Sequence, residues 1–321
     1  MHKKCLFLML FFVVTQLNAQ PCPETNLKNE NLGEVRNQRE VSWCYAFSAA
    51  DLLNYYNPRE KISAADIAVN YNRAKLPRAM RFFSSWYNMF FNYRRYQLQH
   101  MTGFSKIALN LALKEGSCAE ESFPSEVWIK VNNYNGEREE ITLDQAMIDI
   151  HNLRLKVAWG MDINEIPYYF ELPNISRELF YEIVKNYTRD RIFNVLRTYA
   201  CADSRNEYQE RARAKMVFKH RNIMNNIYQR LSNNHPVLVD YDIRLLHENS
   251  PRGLKLGKLH TSVLLGSRFN QNKNRCEVLI KDSFGQDCSQ YTDDIECDKG
   301  YVWVDADKLK KKMTSFVYLS F

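Results

Sequence analysis

The chain has 321 residues, 45% of them hydrophobic and 25% charged, enough for one large domain or two moderate ones with a substantial core. Its net charge of +7 is mild and spread along the sequence, which argues against a dedicated nucleic-acid groove. With only 10 glycines and 9 prolines, neither a collagen-like chain nor a long disordered tail is indicated.

The N-terminus reads as an export signal. His2-Lys3-Lys4 is basic, Cys5 to Val14 is apolar, and Leu17-Asn18-Ala19 offers a small residue for cleavage. The apolar run is too short for a permanent span. Cleavage after Ala19 leaves 42 basic against 37 acidic residues, a net charge of +5. Cys22 follows Ala-Gln-Pro, which lacks the small pair of a lipid-attachment site. The expected location is therefore secreted or periplasmic, with no membrane contact after signal removal. Residues 20–321 form the expected domain.

Residues 20–37 read as an extended arm. A helix is expected from Cys44 to Tyr56, stopped by Asn57-Pro58, with Cys44 at its N-terminus. There a thiol meets unpaired backbone N–H groups and the positive end of the helix dipole, a setting that favours the thiolate nucleophile. Ser63 caps a second short helix. Residues 78–99 place aromatic side chains at helical spacing, read as a buried helix face. Ser105 to Lys114 reads as an amphipathic helix and 131–141 as a polar loop. Helices are expected at 142–153, 176–200 and 204–231, the last with a basic solvated face. Asn174-Ile-Ser176 and Asn186-Tyr-Thr188 are glycosylation sequons, relevant to a eukaryotic source. After Asn234, strands are expected at 236–241, 261–265, 277–281, 301–305 and 315–319. Helices first and strands last indicate an α+β fold.

Seven cysteines remain after signal removal, and an odd number in an exported chain suggests one free thiol. If Cys44 is that thiol, the other six can form three disulfides, with fifteen possible pairings. Cys288 and Cys297 enclose a short polar segment and are paired first.

A nucleophilic cysteine needs a base, a group that orients the base, and an oxyanion donor. Among six remaining histidines, His260 opens the strand His-Thr-Ser-Val-Leu-Leu-Gly and can point into a cleft from a fixed backbone. His247 reads as part of a polar loop. Asp282 ends the strand Val278-Leu279-Ile280-Lys281. If the two strands are neighbours, Asp282 can accept a hydrogen bond from the imidazole.

These segments together resemble the papain-like cysteine proteases. Gln38…Cys44-Tyr-Ala-Phe-Ser resembles the family's active-site stretch, and His260-Thr-Ser-Val resembles its His-Ala-Val segment. Leu279-Ile-Lys-Asp-Ser-Phe-Gly285 resembles its Ile-Lys-Asn-Ser-Trp-Gly, and Gly300-Tyr-Val-Trp-Val304 its following Gly-Tyr strand. The wording Cys44-Tyr-Ala and the helix Ser63-Ala-Ala-Asp-Ile-Ala68 are similar to bacterial exported members. The resemblance implies a two-lobed fold: a helical lobe whose central helix bears Cys44, and a C-terminal antiparallel β lobe. It implies Cys44 as nucleophile, His260 as general base and acid, and Asp282 as its orienter. Gln38 and the Cys44 N–H would form the oxyanion hole. The implied substrate is a polypeptide, and the chemistry calls for no cofactor or metal.

This chain departs from the family pattern in several places. Asp282 stands where the family has Asn, and Phe284 where it has Trp, which would shield the His260–Asp282 bond less completely. Arg39 to Trp43 replace the family's glycines and cysteine, so the comparison implies a different substrate access near Ser42 and Trp43. The 216-position separation of Cys44 and His260 exceeds the family's roughly 130–150, implying a helical insertion at about 131–232. Only about two dozen residues of the cleaved chain precede Cys44, too few for the family's inhibitory propeptide. The alternatives to a peptidase are an inactive papain-fold binding protein and a thiol transferase or amide hydrolase.

Overall fold

In the computed structural model, the described residues are 22–57, 60–73, 103–208, 211–247 and 259–321. The aromatic segment 78–99 and the signal segment lie outside them.

The N-terminal arm is extended, as expected, and is fastened to the far end of the chain. Strand β1 (Thr25–Asn26) precedes a single 3-10 turn at Glu30–Leu32. Helix α1 (Cys44–Tyr56) follows, with every residue from Tyr45 to Asn54 buried. Its Ala-rich, Leu-containing sequence suits a helix enclosed on all sides. Helix α2 (Ala64–Arg73) begins where the Ser63 hydroxyl accepts the Asp66 N–H at 2.9 Å, the predicted cap. Helix α3 (Ser105–Glu115) packs against both α1 and α2.

The next segment mixes strands with helices. It contains β2 (Ser117–Cys118), β3 (Val127–Asn132), β4 (Arg138–Thr142), α4 (Leu143–Ala158) and β5 (Tyr168–Glu171). Helices α5 (Arg177–Asn186) and α6 (Arg189–Ala200), and strands β6 (Arg205–Asn206) and β7 (Arg213–Phe218), follow. Strands β4-β3-β5 form a separate three-stranded sheet. Its core is aromatic: Trp128 meets Phe123, Phe170 and Phe193 with ring centroids 5.5–5.9 Å apart.

Three sequence expectations are corrected here. The segment 131–141 is largely a β-hairpin rather than a polar loop. Arg138, Glu139 and Glu140 are exposed on its edge strand, where charge suits a solvated sheet margin. The helix expected over 176–200 is two helices, broken at Tyr187-Thr188. The basic helix expected over 204–231 is two strands and then α7 (Ile223–Ser232). Arg213 and Lys215 are exposed while Ala212 and Ala214 are buried. That alternation has the two-residue period of a strand, which the charge run concealed. The segment 131–232 is therefore helical and β-structured, not helical alone.

The remaining chain supplies β8 (Val237–Asp242), β9 (Leu259–Asn270), β10 (Arg275–Lys281), β11 (Glu296–Asp298), β12 (Tyr301–Asp305), α8 (Ala306–Lys312) and β13 (Met313–Ser320). They form an antiparallel sheet in the order β11-β12-β10-β9-β8-β13-β7, with β1 added to β9. The predicted strands are all present. The α+β class is as expected, with α1 packed between the helices and β9.

Three disulfides join Cys22 to Cys276, Cys118 to Cys201, and Cys288 to Cys297. Cys44 is the one free cysteine among the described residues.

Candidate active site

Cys44 is the first residue of α1 and is partly exposed. Trp43, the preceding residue, supplies no side-chain cap. Its carbonyl accepts the N–H groups of Ala46 and Phe47 at 2.8 and 3.0 Å. The thiol therefore stands at the positive end of a helix whose N-terminus no side chain neutralises.

His260 is the second residue of β9, paired with Tyr241 of β8. Lys281, the last residue of β10, pairs with Val263, after a register shift between Leu279 and Ile280. Asp282 therefore leaves the strand beside Ser262 and within reach of His260. The His260 Nε2 donates to Asp282 Oδ1 at 2.8 Å. Ser262 donates to the same oxygen at 3.3 Å, and Tyr241 and Ser262 share a hydroxyl contact at 2.8 Å. With Nε2 taken by Asp282, Nδ1 is the ring nitrogen left open, and the Cys44 side chain acts on the same imidazole.

The electrostatics follow from this placement. Burial alone would drive the His260 imidazole toward its neutral form, but Cys44 and Asp282 outweigh it, and the His260 pKa is pushed up to about 10. Burial acts against the Asp282 charge too, yet His260 and His247 hold its carboxyl far below the ordinary carboxylate range. Beneath this pair lies Asp240, raised by burial although it accepts from Thr261 and Ser315 at 2.7 Å and from Ser105 at 3.1 Å.

Gln38 reaches the site from the arm. Its backbone N–H donates to the Ser283 carbonyl at 2.7 Å, and its Oε1 accepts from the Ser283 hydroxyl at 2.6 Å. Its Nε2 donates one hydrogen to the Val41 carbonyl at 2.9 Å. The amide is thus held from both ends, and the nitrogen carries a second hydrogen. Neighbouring bonds complete the seam: Asn37 bridges Phe284, and Gly285 N–H donates to the Arg36 carbonyl at 3.0 Å.

The stretch between Gln38 and Cys44 turns at Arg39, whose φ of 49° lies where glycine is the least strained residue. Val41 and Trp43 point into the core, so Arg39, Glu40 and Ser42 are the residues of this stretch at the surface. Trp43 accordingly does not crowd the thiol's open side, as its position in the sequence would have allowed.

Two further neighbours of Asp282 were not legible in the sequence. His247 is 3% exposed, not part of a solvated loop, and its Nε2 lies 3.8 Å from Asp282 Oδ2. Tyr291 donates its hydroxyl to the same oxygen at 3.0 Å. The only advance signal for His247 is the apolar run Ile243, Leu245 and Leu246 before it; Tyr291 has none. Phe284 stacks on His260 with ring centroids 5.1 Å apart. Together these rings leave Asp282 and His260 only 1% and 2% exposed, so the pair is better shielded than the Trp-to-Phe change alone implies.

A further cluster lies behind the site. Asp51 of α1 pairs with Arg36 at 2.7 Å and with Lys281 at 3.0 Å, and Arg36 also pairs with Glu120 at 3.1 Å. Burial lowers the Lys281 pKa to about 8 despite Asp51. As for metals, Asp66, Cys118 and Cys201 bring three donor atoms together among the described residues. Both sulfurs are in a disulfide, and Asp66 pairs with Arg197 at 2.5 Å, so that cluster serves the scaffold.

No protein-family model and no curated protein matches the chain. Solved structures that it resembles include papain-like cysteine proteases. One is the digestive procathepsin L 3 of Tenebrio molitor larval midgut, at 11% identity and TM-score 0.45, covering 95% of this chain and 72% of that one. Another is the ragweed pollen cysteine protease Amb a 11 in its proform, at 15% identity and TM-score 0.44, covering 94% and 67%. A third is the Carica candamarcensis cysteine protease CMS1MS2 in complex with E-64, at 12% identity and TM-score 0.44, covering 93% and 98%. These likenesses are distant.

Proposed function

We propose that this chain is an exported papain-like cysteine peptidase that hydrolyses polypeptides through Cys44. The Cys44 thiolate attacks the scissile carbonyl carbon. The resulting oxyanion is met by the second Nε2 hydrogen of Gln38 and by the Cys44 backbone N–H. His260 passes its proton to the departing amine, leaving a thioester on Cys44. It then takes a proton from the attacking water, and hydrolysis restores the thiol. Asp282 holds the imidazole in place and balances its charge. The substrate is a polypeptide, with no role for nucleic acid, cofactor or metal.

The observation that carries this reading is the buried His260–Asp282 pair at 2.8 Å, whose imidazole is held charged in part by the neighbouring Cys44, the free thiol at the start of α1. The three disulfides fit an extracellular protein. No helix among the described residues is long and apolar enough to cross a membrane. Export through the signal at 1–19 completes the reading.

The test is labelling by a thiol-directed active-site inhibitor together with cleavage of peptide substrates. Both are expected in the wild type and absent in Cys44→Ala. A reduced, folded wild type that neither labels nor cleaves would overturn the reading. Product analysis with an added amine distinguishes hydrolysis from acyl transfer.

A further inference from the structure

One oxygen of Asp282 serves His260, and the other is bound as well. We propose that Tyr291, braced by His247, is a positioning residue that fixes the Asp282 carboxylate for His260. The inference rests on the peptidase reading for its functional consequence.

A carboxylate that begins a loop can rotate about its terminal torsion, which is broad and roughly two-fold. Oδ1 serves His260 at 2.8 Å and Ser262 at 3.3 Å. Were Oδ2 unanchored, rotation would carry Oδ1 out of line with the imidazole. The Tyr291 hydroxyl prevents this by donating to Oδ2 at 3.0 Å. A tyrosine needed only to fill space could be a phenylalanine. Here the hydroxyl is spent on a buried carboxylate that already has two donors.

Tyr291 is itself held. His247 stacks on its ring at 5.1 Å between centroids, and meets Phe284 edge-on at 5.2 Å. The His247 Nδ1 donates to the Gln290 carbonyl at 2.9 Å, next to Tyr291 in sequence. The Gln290 amide donates to the Phe284 carbonyl at 3.1 Å. The Cys288–Cys297 disulfide closes the loop that carries Tyr291. His247 Nε2, at 3.8 Å from Oδ2, is beyond good hydrogen-bond reach, so besides its charge His247 acts on the carboxylate by bracing the tyrosine.

The experiment compares wild type, Tyr291→Phe, His247→Phe and Asp282→Ala. Both phenylalanine variants keep a ring in the stack. The first readout is the downfield proton resonance of the His260 Nε2–H in water, assigned by its loss in Asp282→Ala. It reports the His260–Asp282 bond whether or not peptide is cleaved. The second readout is kcat and KM on a peptide substrate. In Tyr291→Phe the resonance should broaden through faster exchange. A bond to a charged partner is lost, so kcat should fall about tenfold with KM within about two-fold. His247→Phe should change both in the same direction, less strongly.

An unchanged resonance and unchanged kcat in both variants would overturn the proposal, and should Tyr291→Phe fail to fold, His247→Phe alone decides it. A resonance that broadens as expected in a wild-type background without peptidase activity would support the positioning role and overturn the peptidase reading.

Discussion

The hydroxyl of Ser48 donates to the main-chain carbonyl of Thr261 at 2.7 Å, both buried. Ser48 lies one helical turn after Cys44, and Thr261 directly follows His260. One hydrogen bond therefore ties the helix that bears Cys44 to the strand that bears His260.

Replacing Ser48 with Ala leaves a buried carbonyl without that donor, at a cost of about 1–3 kcal/mol. The expected result is a lower midpoint of denaturant unfolding and a several-fold lower kcat, because the helix and strand lose their common reference. An Ser48→Ala variant with wild-type kcat would show that α1 is positioned by packing alone.

Gln38 is expected to act on the transition state rather than on substrate binding. Gln38→Ala should lower kcat by about 10²-fold with little change in KM, the usual consequence of losing one oxyanion donor. Ser283→Ala frees the Gln38 Oε1 from its 2.6 Å bond and should give a milder loss in the same parameter. Steady-state kinetics on a single peptide separates the two parameters.

The pH dependence of stability should bend. The His260 pKa is raised to about 10. Its contribution is complete below its unfolded value of about 6.5 and is lost as pH climbs toward about 10. The Lys281 pKa is lowered to about 8, so between about 8 and 10.5 the unfolded chain binds more protons there, and stability rises with pH. The two effects oppose each other above pH 8. Unfolding free energy should therefore fall between about pH 6.5 and 8 and then flatten. Denaturant titrations across this range should show the bend, and Lys281→Met should turn it into a continuous decline.

The Cys118–Cys201 disulfide spans 83 residues and encloses the three-stranded sheet with α4, α5 and α6. By loop-closure entropy its removal should cost about 4 kcal/mol. A Cys118→Ala/Cys201→Ala variant should show earlier thermal unfolding. Limited proteolysis should then cut first within 119–200, while Cys44 labelling in the surviving fold persists.

The central site was readable because local chemistry announces it. A cysteine opening a helix, a histidine opening a strand and a carboxylate closing the next one each leave a short-range mark. The cysteine count likewise isolated Cys44, and the brief segment between Cys288 and Cys297 indicated their pairing. Other features were illegible for physical reasons. Strand β7 hid because arginine and lysine at alternate positions look like a charged helix face until their burial is seen. The β3–β4 hairpin hid because an exposed edge strand tolerates the polar residues of a loop. His247 and Tyr291 acquire meaning only through the register that brings two distant loops onto Asp282, and no local pattern encodes that meeting.

The seam between Gln38 and Ser283 has a consequence for synthesis. The thiol is made 238 residues before the carboxylate that orients its base. At about 5–20 residues per second, some ~10–50 s pass before Asp282 follows Cys44 out of the ribosome. Throughout that interval Gln38 has no Ser283 to hold it and His260 has no Asp282. A nascent or prematurely terminated chain thus carries a bare Cys44 thiol without the His260–Asp282 pair, so the order of translation itself keeps these groups apart until the last sheet is in place.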